Sequence, residues 1–284
     1  MADAATVKRL QGKALETRKN LLKLCYISGM FHIGGDLSMA DIMTGIWQYA
    51  IKYDCKDPKW DGRDRFILSK GHGAGVLYIN QAMFGIYPLE EVFKTYNQLD
   101  SAFGMHPCSK TLPSIEISTG SLGHGLSISV GLALAARYLG KRHRVITVMG
   151  DGEIQEGSVW EAAMAAGQYK LGNIVAFIDR NGLSLDDFTE TTMKLEPLED
   201  KWRAFGWNVK TIDGHDMAQI IDSLDSIPPT DSDVPTVIIA KTVKGKGVDF
   251  MENDPNWHSG SIDHDVMEKC ICELDVKYGN EGGK

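Results

Sequence analysis

Arg144-Val-Ile-Thr-Val-Met149, running into Gly150-Asp151-Gly152, and Asn173-Ile-Val-Ala-Phe-Ile178, running into Asp179-Arg180-Asn181-Gly182, are the stretches that decide the fold. Each begins as a short, apolar, largely β-branched run, the composition of a buried strand, and ends in residues that break one. Between them, Val159 to Lys170 is rich in alanine and free of proline, as a helix requires. Together they read as one βαβ unit, which places its two strands parallel. Asp151 directly follows the first strand and Asn181 closely follows the second. The interval between them, roughly 30 residues, is the length of one such unit. It holds one helix and one strand, so both side chains reach the carboxyl edge of the sheet, where open α/β sheets bind ligands. Carboxylate, amide and backbone carbonyl are hard oxygen donors suited to Mg²⁺ or Ca²⁺, and Mg²⁺ commonly completes its shell with diphosphate oxygens. Gly150 and Gly152 would let such oxygens approach the backbone. The competing reading is a tight strand-to-helix turn with Asp151 as its cap.

Working outward, Trp207 to Ile212 and Pro235 to Ala240 read as further strands, with a helix from Ala218 to Ile227 between them. Asp64 to Ser69 reads as a strand before a glycine-flanked turn at His72. Helices are expected from about Thr6 to Ser28, where Leu10, Ala14, Leu21 and Leu24 recur at helical spacing, from Leu126 to Leu139, and from Asp263 to Tyr278. Pro228-Pro229 and the tail Gly279 to Gly283 read as loop and frayed end. The alternation predicts an α/β fold: an open, mostly parallel sheet with helices on both faces, in a single domain over residues 1–284.

The chain of 284 residues is 43% hydrophobic and 24% charged, enough for a substantial core. Its formal net charge is −8, and no basic run exceeds Lys141-Arg142-His143-Arg144, so no nucleic-acid partner is expected. Met1 to Gln11 is polar, unlike a signal peptide. No apolar run approaches the ~18 residues of a membrane span, so no membrane association is expected. Cys25, Cys55, Cys108, Cys270 and Cys272 fit neither a zinc spacing nor a redox Cys-x-x-Cys, and read as idle thiols in a reducing cytoplasm.

The segment Met149-Gly-Asp-Gly-x-x-x-Glu-Gly, closed by Asn181-Gly182, resembles the thiamine-diphosphate motif of transketolases. Other segments extend the resemblance over nearly the whole chain: Ser28-Gly-Met-Phe-His-Ile-Gly-Gly, Asp64-Arg-Phe-Ile-Leu-Ser-Lys-Gly-His72-Gly, Met105-His106-Pro107, Ser118-Thr-Gly-Ser-Leu-Gly-His-Gly125, and Lys241-Thr-Val-Lys-Gly-Lys-Gly with Trp257-His258. Ser121 and His124 depart from the proline and glutamine common in the family, and the first segment is longer than its counterpart between Gly29 and His32. The resemblance implies the thiamine-diphosphate-binding fold of that family. It also implies that Asp151 and Asn181 bind the metal through their side chains and Leu183 through its carbonyl. Gly120, Ser121, Leu122, Gly150, Gly152, His72 and His258 would contact the cofactor, and His32, His106 and His258 would face substrate. Glu156 and Glu161 would link two active sites across a dimer interface, although acidic residues early in a helix also simply favour its dipole. Imidazoles suit this chemistry because they exchange protons near neutral pH, so His32, His72, His106 and His258 are expected to converge near Asp151.

The implied activity is transfer of a two-carbon ketol unit from a ketose to an aldose, with thiamine diphosphate and Mg²⁺, or Ca²⁺, as cofactors. The resemblance stops after the first of the family's three domains. The glutamate that activates the cofactor's ring and the basic residues that grip the sugar phosphate belong to the next domain and have no counterpart here. The expectation is the N-terminal subunit of a split transketolase, inactive alone, assembled as two copies each with a C-terminal subunit; a cut fragment is the other explanation. Ordinary pentose phosphates are the default substrates, with apulose 4-phosphate or a sulfosugar as specialised alternatives. A 1-deoxyxylulose-5-phosphate synthase or a thiamine-dependent dehydrogenase subunit would share the Gly-Asp-Gly site. A catalytically dead binding protein would keep the fold without the chemistry.

Overall fold

A computed structural model describes residues 2–185 and 187–282. Five strands, β1 (Arg65–Leu68), β2 (Val145–Gly150), β3 (Ile174–Arg180), β4 (Asn208–Asp213) and β5 (Thr236–Lys241), form one wholly parallel sheet in the order β1-β2-β3-β5-β4. The expected βαβ unit is β2, helix and β3, and its register pairs Gly150 with Asp179. That register sets Asp151 beside the Arg180-Asn181-Gly182 turn.

The helices are α1 (Ala4–Ser28), α2 (Ile33–Ser38), α3 (Ala40–Gly45), α4 (Ala74–Phe84), α5 (Leu89–Thr95), α6 (Gly125–Tyr138), α7 (Gly157–Gln168), α8 (Thr189–Thr192), α9 (Leu198–Ala204), α10 (Met217–Asp225) and α11 (His264–Gly282). Helix α1 starts at Asp3, whose carboxylate accepts the Thr6 N–H at 2.9 Å, a side-chain cap for an otherwise orphan donor. It stops at Gly29, whose φ of 68° a glycine adopts without strain. A π-helical turn, Ile46–Ala50, follows α3 directly.

Side chains alternate along each strand, and the alternation divides them between two cores. Phe66, Leu68, Ile146, Val148, Val175, Phe177, Ile238 and Ala240 face the layer of α1, α3, α4, α10 and α11. Ile67, Val145, Met149, Ile174, Ala176, Ile178, Val237 and Ile239 face α6, α7 and α9. The sheet is therefore covered on both sides, which explains why β2, β3 and β5 read as largely apolar runs, while the edge strand β4 stays half-buried and mixed.

The expected strands and helices form with ends displaced by a residue or two, except at the tail. Gly279 is not frayed: α11 continues through it to Gly282, while Gly283 lies outside the described residues. A glycine inside a helix costs about 1 kcal/mol. The buried Met267, Cys270 and Leu274 hold this helix in the core beside α1, and no proline stops it.

Candidate active site

Four of the five strands deliver polar residues to one edge: Ser69 and Lys70 after β1, Asp151 after β2, Asn181 after β3, and Thr242 and Lys244 after β5. Asp151 is buried, with 1% of its surface exposed. Its Oδ2 accepts the Gly182 N–H at 2.6 Å and an Arg180 Nη1–H at 3.0 Å, while Oδ1, among the described residues, accepts only the short-range Gly152 N–H at 2.9 Å. Burial and the charge of Asp179 push its carboxyl up to about 6, against the pull of the Gly182 N–H and Arg180, because both make the charged form costlier. The Asn181 amide is fixed at both ends: Nδ2 donates to Asp179 Oδ2 at 3.1 Å, and Oδ1 accepts the Leu183 N–H at 3.1 Å.

Asp179 lies below this pair, fully buried, and gathers donors from three other segments. Lys70 Nζ reaches Oδ2 at 2.6 Å, Ser38 Oγ reaches it at 2.5 Å, and Thr242 Oγ1 donates to Oδ1. Burial alone would raise this carboxyl; the charge and bond of Lys70 outweigh it and hold it below its ordinary value, as an adjacent cation favours the ionised form. Lys70, itself 2% exposed, also donates to the Gly35 carbonyl at 3.3 Å.

The four expected histidines come together, although the segments bearing them are far apart in sequence. The His32 ring centroid lies 5.4 Å from that of His72, 6.0 Å from His106 and 5.5 Å from His258, and His72 and His258 are 5.2 Å apart. His32, His72 and His258 line a cavity of about 380 Å³ with Asp151, Asn181 and Lys244. Gly120, Leu122, Gly150, Gly152 and Leu183 complete its wall. His106 stands behind His32, its ring against Gly120. Burial, reinforced by the neighbouring cations Lys70 and Lys244, lowers His32 to about 4 and His258 to about 3, and carries His72 well below its ordinary value. Burial also lowers His106. The imidazoles are thus neutral at neutral pH. Lys244 Nζ donates to the Ser184 carbonyl at 2.7 Å and to His258 Nδ1 at 3.1 Å. An imidazole nitrogen that accepts carries no proton, so the His258 proton sits on Nε2. Burial and the charge of Lys70 lower the Lys244 amine to about 8.

Three expected residues lie elsewhere. Ser121 is exposed and does not line the cavity, unlike its neighbours Gly120 and Leu122. Glu156, at the N-cap position of α7, and Glu161, one turn into it, are also exposed. His124 occupies the N-cap position of α6 without a side-chain capping bond.

Sequence reasoning missed Lys70, Lys244, Asp179 and Glu153. Glu153 accepts the Gly123 N–H on Oε1 and the Gly150 N–H on Oε2, each at 3.0 Å, and a bond from Ser69 Oγ, so it ties the Gly120 loop to the end of β2. The lysines stood inside the quoted motifs one or two residues from a glycine or histidine, but a lysine is ordinarily solvated.

These residues fit a metal-bound diphosphate. Asp151 Oδ1 and the Asn181 and Leu183 oxygens are hard donors at one corner of the cavity, and Lys70 and Lys244 bring positive charge to its wall. A Cβ on Gly150 would meet nothing closer than Lys70 Cδ at 3.8 Å. The chain's own packing therefore does not call for glycine there, and a glycine at the cavity wall leaves room for a ligand to approach the backbone closely. His32 Nδ1 is buried without a hydrogen-bond partner, the exception to the rule that buried polar atoms are paired.

Residues 26–280 match the family described as "Transketolase, thiamine diphosphate binding domain". An apulose-4-phosphate transketolase subunit of Phocaeicola vulgatus is 40% identical over 268 residues, 94% of each chain. A 6-deoxy-6-sulfo-D-fructose transketolase subunit of a Clostridium species is 37% identical, over 94% of this chain and 96% of its own. Human transketolase is 33% identical over 96% of this chain but only 43% of its own. The crystal structure of Campylobacter jejuni transketolase superposes with a TM-score of 0.85 at 30% identity, covering 95% of this chain and 43% of that one. The chain thus spans less than half the length of the full transketolases it resembles.

Proposed function

Because the chain belongs to the transketolase family, as its thiamine-diphosphate-binding domain, we propose that it works as one half of a two-chain enzyme that moves a two-carbon ketol unit from a ketose to an aldose. The observation that carries this reading is the meeting of the Asp151–Asn181 corner with three neutral histidines, His32, His72 and His258, around one cavity, with His106 packed beside His32. Asp151, Asn181 and the Leu183 carbonyl would hold Mg²⁺, with Ca²⁺ as a substitute. Gly150, Gly152, Lys70 and Lys244 would seat the diphosphate. Thiamine diphosphate, when bound, supplies the electron sink for breaking and making the carbon–carbon bond; the protein supplies binding, orientation and proton handling.

The histidines suit that last task. A neutral imidazole both takes a proton from a sugar hydroxyl and returns one. His258 presents its Nε2–H as a donor because Lys244 occupies Nδ1. His32 keeps an unpartnered Nδ1, and His106 backs it from behind. A C-terminal subunit would supply the remaining wall of the site, with two copies of each chain in the assembly and the exposed Glu156 and Glu161 turned toward the second copy. The five free thiols suit a cytoplasmic setting, and among the described residues no helix is long and apolar enough to cross a membrane.

A specialised sugar is favoured by one observation. Relatives that match over nearly their full length include ones named for apulose 4-phosphate and sulfofructose, whereas human transketolase matches over less than half of its own. The test is reconstitution. The chain, its co-purifying partner, thiamine diphosphate and Mg²⁺ together should transfer ketol from xylulose 5-phosphate, apulose 4-phosphate or sulfofructose, and the preferred donor names the substrate. Ketol transfer by the purified single chain would remove the need for a partner. An assembly that never binds thiamine diphosphate would end the reading.

A further inference from the structure

Apart from the cavity, a largely buried chain of side chains joins four segments. Arg18 of α1 grips Asp41 of α3 with both ends of its guanidinium, Nη1 to Oδ1 at 2.9 Å and Nη2 to Oδ2 at 2.5 Å. Asp41 Oδ2 lies 2.8 Å from Nδ1 of His215, in the turn after β4. Nε2 of the same ring accepts the Val243 N–H at 2.9 Å, and Arg18 Nε donates to the Lys246 carbonyl at 3.3 Å. A backbone N–H can only donate. His215 Nε2 must therefore carry the lone pair, and the ring proton sits on Nδ1, facing the carboxylate. Burial by itself would raise the Asp41 carboxyl, but the charge and bonds of Arg18, with the bond from His215, hold it well below the usual carboxylate range. The acceptor that orients the ring is thus permanently charged.

The two backbone groups held by this chain flank Lys244 in sequence, one at Val243 and one at Lys246. No other bond within the described residues joins a side chain of the β4 turn to this segment. We propose that His215 is a positioning residue for Lys244: as the Nδ1–H tautomer set by Asp41 and Arg18, it fixes the 242–247 turn so that the Lys244 amine enters the cavity between the Ser184 carbonyl and His258. His215 touches neither cofactor nor substrate. It acts through Lys244, and through Lys244 on which nitrogen of His258 carries the proton. The significance of that position for catalysis rests on the function proposed above; the positioning itself does not.

Two isosteres separate this role from a merely structural one. In His215→Gln, Oε1 lies as many bonds from Cα as Nε2 does, so the bond to Val243 N–H is kept. In His215→Asn, Nδ2 matches Nδ1, so the bond to Asp41 is kept and that to Val243 is lost. The measurement is the pH profile of Lys244 acetylation in the full chain, followed by peptide mass spectrometry. The charges that bear on this amine are Lys70, Asp151 and Asp179, together with the directly bonded His258, and none is altered in either variant. Wild-type Lys244 should be half-reactive near pH 8. His215→Asn should shift that midpoint up toward the ordinary lysine value of about 10.4, while His215→Gln stays within about half a unit of wild type. In the reconstituted enzyme the Asn variant should lose kcat by about tenfold or more with a smaller change in KM. A midpoint unmoved in His215→Asn, or moved more in Gln than in Asn, overturns the proposal. If the midpoints move as stated but the wild-type assembly binds no thiamine diphosphate, the positioning stands and the functional reading falls.

Discussion

Asp36 lies beside the His72 turn with one carboxyl oxygen bonded to the Val76 N–H at 3.1 Å and the other, Oδ2, buried without a partner. Burial pushes this group up to about 8, only partly offset by the Val76 N–H and Lys70. The folded chain therefore holds a proton that the unfolded chain, with an ordinary value of 3.8, has released. Stability from this group is complete below 3.8 and is lost as pH rises through about 8, since the folded state is the one that binds the extra proton. Asp36→Asn keeps the acceptor for Val76 and cannot ionise. It should differ least from wild type below about pH 4, and the Tm difference should grow in the variant's favour as pH rises from about 4 to about 8, by scanning calorimetry; parallel curves for the two proteins would refute the buried proton. At this scale the sequence was only half legible. His72 stood out because glycines flank it and His106 because a proline follows, whereas His32 and His258 were marked only by the resemblance to the family. Asp36, Asp179, Lys70 and Lys244 did not, because nothing local says that a charged side chain will be buried. Burial is decided by the segments that close over it, and those come from residues tens or hundreds of positions away.

The turn after β2 carries its own latch. Glu153 holds the Gly150 N–H, the Gly123 N–H and the Ser69 hydroxyl at once. In Glu153→Gln one of its two oxygens becomes an NH₂ facing a donor, so a buried bond is lost and two donors oppose each other. We expect a loss of about 1–3 kcal/mol in urea unfolding, together with weaker thiamine diphosphate binding because the Gly120 loop is released from β2. Unchanged urea unfolding would show that Glu153 is not what joins the two. Elements of this kind show how far pattern reading reaches. Strands β2 and β3 announced themselves as β-branched runs, and the helix between them as an alanine-rich one. The insertion of β5 between β3 and β4 did not, because strand order is set by pairing across the sheet and leaves no local mark. The short helices α2 and α3 were also missed: Ile33 to Gly45 is glycine-bearing and short, and it is helical because Phe31, Leu37 and Met43 are drawn into the core.

Taken as a whole, the molecule places two strongly lowered histidines side by side in its cavity. His32 and His258 are held at about 4 and about 3. Between those values and the ordinary 6.5, the unfolded chain binds more protons than the folded one. Their stabilising contribution is present above about 6.5 and is lost as pH falls through the folded values. Asp36 and Asp151, both raised, act with the opposite sign. Comparison with a His32→Gln, His258→Gln double variant therefore isolates the histidines: its Tm should fall less than that of wild type between pH 7 and 4. Equal falls would mean that the rings are not kept neutral by the fold.

The placement of the chemistry at the ends of strands, rather than along them, bears on how such proteins diverge. The residues that pack the sheet and the residues that face the cavity are almost separate sets, joined by turns of a few residues each. A lineage can exchange one turn, at little cost to folding, and so meet a new molecule with an old scaffold. Relatives named for apulose-4-phosphate and for 6-deoxy-6-sulfo-D-fructose, each about two-fifths identical to this chain, share that inherited architecture.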